Sequence, residues 1–204
     1  MKSESLLKAY LEPDRIEAGC DEAGRGCLAG PVFAASVVLP PSFKCKGLTD
    51  SKKLTDKKRR ELRPVIEREA ISFSVGICSP EDIDSLNILW ASVEAMHRAL
   101  SQLSVVPQHI LVDGNKFRSY NDIPYTCVVG GDAKYLSIAA ASILAKTYRD
   151  DYMEEIHEEF PHYEWNKNKG YPTKVHRNAI AHYGVTRYHR KSFNLIDRQM
   201  ELFS

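Results

Sequence analysis

The feature that most constrains this chain is the stretch Ile16-Glu17-Ala18-Gly19-Cys20-Asp21-Glu22-Ala23-Gly24-Arg25-Gly26-Cys27-Leu28-Ala29-Gly30-Pro31-Val32. It sets two adjacent acids ahead of a glycine turn inside an otherwise apolar run. Asp and Glu are poor strand formers, and beside a buried strand they are costly unless a cation answers them. A surface turn with solvated acids is the ordinary outcome for Asp-Glu before Gly, but the rest of the chain points elsewhere.

Further along, the same pattern recurs. Ile16–Cys20 and Val32–Leu39 read as two strands joined by the Gly24–Pro31 loop, and Ile71–Cys78 alternates like a third. Thr55 caps a predicted helix through Glu69, which Pro64 should kink or break. Ser79 opens one helical segment in which Leu86, Leu89, Val93, Met96 and Leu100 keep helical spacing. His109 to Asn115 is a short buried strand ending on Asp113. Tyr125–Val129 is a fifth strand, followed by Gly130-Gly131-Asp132. Ser137 to Phe160 reads as a long helix with small residues at its start, and Lys174–Tyr183 as another. These elements predict an α/β protein with a five-stranded mixed sheet, a meander first and parallel crossovers later. Ligands of open α/β sheets gather at the carboxyl ends of parallel strands, and Asp21, Glu22, Asp113 and Asp132 all fall at predicted strand ends.

At 204 residues the chain suits one domain, with a catalytic core over about 16–160 and a helical extension over about 161–204. Net charge is only +1, but basic residues crowd into Lys44–Arg60, Lys167–Arg177 and Arg187–Lys191, runs that usually form solvated faces. Five scattered cysteines suggest reduced, packed thiols. No basic-then-apolar leader precedes the first strand, and no apolar run nears the ~18 residues of a membrane span. The expectation is a cytoplasmic monomer without membrane association.

Three or four carboxylates converging on one spot repel one another and need a cation; hard oxygen donors suit Mg²⁺ or Mn²⁺. Two such ions about 3.5–4 Å apart activate water and stabilise the leaving oxygen of a phosphodiester. Adjacent strand residues point to opposite faces, so Asp21 and Glu22 can share one site only if the strand ends or bulges there. Gly24-Arg25-Gly26-Cys27-Leu28-Ala29 formally fits a dinucleotide fingerprint, but that motif must open a helix, and Val32 onward reads as a strand. His157 and His162, with Pro161 between them, cannot present a zinc pair on one helical face. Against a non-catalytic binder of hybrid or nucleotide stand the four acids, since a phosphate binder gains nothing from clustered negative charge.

Asp21-Glu22-Ala23-Gly24-Arg25-Gly26 with Leu28-Ala29-Gly30-Pro31-Val32 closely resembles the signature of bacterial ribonuclease HII. The likeness extends through Asp50-Ser51-Lys52-Lys53-Leu54, Val112-Asp113-Gly114-Asn115, Gly131-Asp132, Ser137–Lys146 with Arg149-Asp150, and Lys169-Gly170-Tyr171. The related ribonuclease HIII type carries a long N-terminal extension, and only about fifteen residues precede the first motif here. The resemblance implies a ribonuclease H-like fold with a C-terminal helical extension and two divalent ions, Mg²⁺ or Mn²⁺. It implies hydrolysis of the RNA strand of RNA/DNA hybrids and incision 5′ to single ribonucleotides in duplex DNA, leaving 3′-hydroxyl and 5′-phosphate ends, as in ribonucleotide removal.

Carried over residue by residue, the catalytic and metal-binding acids are Asp21, Glu22, Asp113 and Asp132. Gly24, Arg25 and Gly26 would approach a 2′-hydroxyl through their backbone, and Tyr171 would sense the junction. Lys52, Lys53 and Lys146 would contact phosphates. Asp150 would pair with Arg149 or a neighbouring turn. The chain departs from the family pattern at Cys27, usually proline, and at Gly130, usually lysine.

Overall fold

A computed structural model describes residues 7–45, 47–48 and 51–196, apart from the Lys52 side chain. Five strands form one sheet: β1 (Glu17–Ala23), β2 (Val32–Val38), β3 (Ser72–Cys78), β4 (His109–Asp113) and β5 (Tyr125–Val128), in spatial order β3-β2-β1-β4-β5. The first three form the expected antiparallel meander, and β4 and β5 add in parallel. The helices are α1 (Asp56–Glu69), α2 (Pro80–Leu86), α3 (Ile88–Leu100), α4 (Leu136–Glu159), α5 (Trp165–Asn168) and α6 (Lys174–Tyr183).

Period-2 alternation on β1 divides the interior. Ala18 and Cys20 pack with Ala95 and Met96 of α3 on one face, while the other face receives α4, whose small residues Ala139, Ala140 and Ala141 lie against Ala35 and Val37. The approach is close enough that a Cβ on Gly19 would overlap the Ser137 backbone. Glycine here admits the helix rather than a turn. A third cluster joins Leu28, Ala29 and Met153 to Tyr163, Trp165 and Ile180, so residues beyond Phe160 pack directly on the Gly24–Pro31 loop and the end of α4.

Three expectations need correction. β1 does not end at Cys20: its pairing with β2 continues without a bulge through Asp21↔Ala35, Glu22↔Ala34 and Ala23↔Phe33. Burial on both faces outweighs the weak strand preference of two acids. Pro64 does not break α1, whose start is capped by Thr55 Oγ1 accepting from Lys58 N–H (3.2 Å) and whose Leu62 and Ile66 are buried. The segment after Ser79 is two helices. Asn87, at φ +64°, ends α2 and caps α3, its Oδ1 accepting from Leu89 N–H (3.0 Å) and Trp90 N–H (3.3 Å).

Candidate active site

The parallel register of β1 and β4, ending at Cys20↔Val112, brings Asp113 level with Asp21 at the carboxyl end of the sheet. β5 pairs with β4 up to Asp113↔Val128, and the chain then turns through Gly130 at φ +64° into a short 3-10 turn, Gly131–Ala133. Gly131 N–H donates to Asp113 Oδ1 (2.7 Å), which ties the third acid to the turn holding the fourth, the buried Asp132. Three neighbouring strands thus deliver Asp21, Asp113 and Asp132 to one edge of the sheet.

Asp21 and Glu22 leave β1 on opposite faces, as an unbulged strand requires, but β1 ends at Ala23 and both carboxyls feel the charge of Asp113, so the two faces meet at that acid at the strand end. Asp21 is on the α4 side, where the nearby Ser142 hydroxyl favours its charged form and its Oδ1 accepts from Glu22 N–H (2.7 Å). Burial, reinforced by the charges of Glu22 and Asp113, holds the Asp21 carboxyl well above the usual carboxylate range. Glu22 is on the α3 side, in a small cleft with Ser92, Met96, Asp113 and Lys116. Burial raises it too, opposed by Arg25, whose Nη1 donates to Glu22 Oε1 (3.1 Å). Repelling, partly dehydrated carboxylates fit a divalent cation in charge and donor type. Among the described residues, no three His, Cys, Asp or Glu side chains are already gathered into a ligand cage.

The Gly-Arg-Gly turn lies directly beyond Ala23. Its two glycines differ. A Cβ on Gly24, at φ +96°, would overlap the Arg149 guanidinium beneath it, whereas a Cβ on Gly26 would meet nothing within 4 Å. Only Gly26 therefore borders open space. Tyr171, 42% exposed, stands across from this turn. Leu28 N–H donates to Gly170 O (2.8 Å), and the buried Cys27 thiol donates to Lys169 O (3.5 Å). Cys27 therefore spans the space between turn and tyrosine, and the Tyr171 hydroxyl is pushed up by burial and by Cys27.

Among the lysines, Lys146 sits half-buried on α4 and Lys53 is exposed on the short turn Ser51–Lys53; the side chain of Lys52 lies outside the described residues. That turn is anchored to α4 near the acids, since Ser51 Oγ and Ser142 Oγ are 2.8 Å apart. Asp150 does not pair with Arg149, which donates instead to three backbone carbonyls; burial raises Asp150, with Lys146 and Lys169 opposing. Sequence reading missed Ser51, Ser142, His189 and Arg190 as contributors. The Arg187–Lys191 run expected to be solvated buries His189 and Arg190 completely, leaving Lys191 exposed. No periodicity in so short a basic stretch separates the inward from the outward members.

Comparison with known proteins gives one consistent result. The family described as Ribonuclease HII matches residues 18–196. The chain is 66% identical over 198 residues to the ribonuclease HII of Bacteroides thetaiotaomicron, covering 97% of this chain and 99% of that one. In structure it resembles the ribonuclease H2 of Pyrococcus horikoshii, with a TM-score of 0.75 at 25% identity over 91% of this chain and 97% of that chain. It also resembles the Archaeoglobus fulgidus ribonuclease HII solved in complex with PCNA, with a TM-score of 0.70 at 27% identity over 92% of this chain and 100% of that chain.

Proposed function

This chain belongs to the ribonuclease HII family, endonucleases acting on the RNA of RNA/DNA hybrids, and from that premise we propose that it also incises 5′ to single ribonucleotides embedded in duplex DNA. Cleavage leaves 3′-hydroxyl and 5′-phosphate ends and serves ribonucleotide removal. The observation that carries this is the delivery of Asp21, Asp113 and Asp132 to one sheet edge, with Glu22 adjacent and the Gly-Arg-Gly turn immediately after.

Asp21, Glu22, Asp113 and Asp132 would hold two divalent ions, Mg²⁺ or Mn²⁺, which supply an activated water and charge neutralisation at the leaving oxygen. Glu22 N–H donates to Asp21 Oδ1 and Gly131 N–H to Asp113 Oδ1, so both carboxylates are oriented before substrate arrives. Arg25 occupies one Glu22 oxygen and leaves Oε2 for a ligand role. The open side of Gly26 receives the ribose, Tyr171 tests the next sugar, and Lys53 and Lys146, with Lys52, contact phosphates. No helix among the described residues is long and apolar enough to cross a membrane, and Cys20, Cys27, Cys45, Cys78 and Cys127 are free thiols.

The test is a DNA duplex carrying one ribonucleotide, incubated with Mg²⁺ or Mn²⁺, with and without chelator. Metal-dependent nicking 5′ to the ribonucleotide is expected, with Asp21→Asn and Asp113→Asn each at least 10³-fold slower, the scale on which loss of one strong electrostatic contact acts. Absence of nicking with either metal, or near-wild-type rates in either variant, would overturn this assignment.

A further inference from the structure

Behind the Gly24–Pro31 loop lie two arginines that sequence reading treats as helix and surface residues. Arg149 is 2% exposed and Arg190 0%. Burying a guanidinium is costly unless its donors are used, and here five of the six guanidinium nitrogens donate, all to backbone carbonyls and none to a carboxylate, leaving Arg190 Nη2 buried without a partner among the described residues. Arg149 donates from Nε to Pro31 O (3.0 Å), from Nη2 to Ala29 O (3.0 Å) and from Nη1 to Lys169 O (2.8 Å). Arg190 donates from Nε to Gly30 O (2.9 Å) and from Nη1 to Arg25 O (3.0 Å).

Two consequences follow from which carbonyls are taken. Those of Arg25, Ala29, Gly30 and Pro31 are drawn inward, while the N–H groups of Arg25 and Gly26 have no backbone acceptor among the described residues. The exposed Arg25 and Gly26 are thus left with amides that no backbone carbonyl occupies, as an approaching 2′-hydroxyl or phosphate oxygen requires. The fifth carbonyl, Lys169 O, belongs to the turn that carries Tyr171, so one guanidinium grips both sides of the cleft. The fit is tight: a Cβ on Gly24 would overlap Arg149 Nε, one on Gly30 would lie 3.2 Å from Arg149 Nη2, and one on Gly170 would lie 2.5 Å from Ala29 O. The loop cannot shift without displacing both arginines, nor the Tyr171 turn without displacing Arg149.

We propose that Arg149 and Arg190 are positioning residues for substrate selectivity, fixing the gap between the Arg25–Gly26 amides and Tyr171 and thereby the preference for an RNA-to-DNA junction. This rests on the assignment of that turn and that tyrosine as readers of the two sugars. All five hydrogen bonds of the pair go to the backbone of the loop and the Tyr171 turn, so its contribution lies in discrimination more than in the cleavage step.

The test uses Arg149→Lys and Arg190→Lys, which keep the charge but cannot reach two or three carbonyls at once. Cleavage is measured on a duplex with one ribonucleotide and on an all-RNA strand paired with DNA. Both variants should cut the continuous hybrid within about threefold of wild type, while the preference for the embedded ribonucleotide falls at least tenfold, mainly through KM. Equal losses on both substrates, or an unchanged preference, would overturn the proposal. A wild type with no preference would sink the sugar-reading assignment and this inference together; a preference that survives both substitutions sinks the inference alone. Should the variants not fold, amide hydrogen exchange on the intact wild-type protein decides. Leu28 and Gly30 should be protected like α4 while Arg25 and Gly26 exchange freely, and independent opening of the whole loop would count against the proposal.

Discussion

At the scale of single residues, Gly24 and Gly26 show how one motif holds two different requirements. Gly24 is needed because its backbone is left-handed and because Arg149 occupies the volume a side chain would take; Gly26 has neither constraint. Gly24→Ala should therefore cost about 2–3 kcal/mol of stability through strain and displacement of the arginine. Gly26→Ala should change stability by less than about 0.5 kcal/mol yet slow cleavage of the embedded ribonucleotide at least tenfold by filling the sugar's space. Urea midpoints with kcat/KM for the two variants check this, and equal destabilisation by both would refute it. In sequence the two glycines look alike, since nothing nearby in the chain announces that Arg149, over a hundred residues later, will lie beneath the first. The acids were legible because charge at the end of an apolar strand is anomalous locally. Their pairing across β1, β4 and β5 depends on register, which no single stretch contains.

Among elements, the short segments after α4 are held by a chain of hydrogen bonds that requires two neutral histidines. Thr186 N–H donates to His189 Nδ1 (2.9 Å), which leaves the His189 proton on Nε2, facing His176 Nε2 at 3.3 Å. Trp165 Nε1–H donates to the same His176 Nε2 (3.0 Å), and His176 Nδ1 meets the Tyr171 carbonyl at 3.0 Å. A proton added to either ring leaves two donors facing each other in a buried space. Accordingly burial lowers His176, and burial together with His176 lowers His189 from 6.5 to about 4. Unfolded, both would bind protons near pH 6.5, so between about pH 6.5 and 4 the unfolded chain binds more protons and stability falls as pH falls. Above that window the contribution is complete, and for His189 it amounts to about 3 kcal/mol at most. Urea unfolding at pH 7.5 and 5.0 should show this loss, and His189→Asn should flatten the difference; an unchanged slope would show that the histidines are not its source. The helices α1, α3, α4 and α6 were legible from spacing and caps. The break at Asn87 was not, because apolar spacing on either side of it stays in phase while the backbone reverses hand for one residue.

For the whole molecule, the expected division into a core and a C-terminal extension is one of sequence position more than of packing. Leu28, Ala29 and Met153 share a buried cluster with Trp165 and Ile180, and Leu28 and Gly30 exchange backbone bonds with Arg190 and Tyr188. We therefore propose that residues 16–196 unfold as one unit. The two tryptophans report on the two regions, Trp90 on α3 and the buried Trp165 after α4. Fluorescence of Trp90→Phe and Trp165→Phe variants, which isolate one reporter each, should give urea transitions with the same midpoint as far-UV circular dichroism. Separate midpoints would mark two independent units. The helix that joins the regions carries a further consequence. Ser142, Lys146, Arg149 and Met153 recur on one side of α4, the first near Asp21, the third and fourth lying beneath Gly24 and Gly30. A residue inserted between Ser142 and Arg149 would turn everything after it by about 100° and advance it about 1.5 Å. Cleavage chemistry and sugar discrimination would then fall out of step even with every side chain retained, so in any lineage descended from this chain the length of that interval should vary less than the identity of its residues.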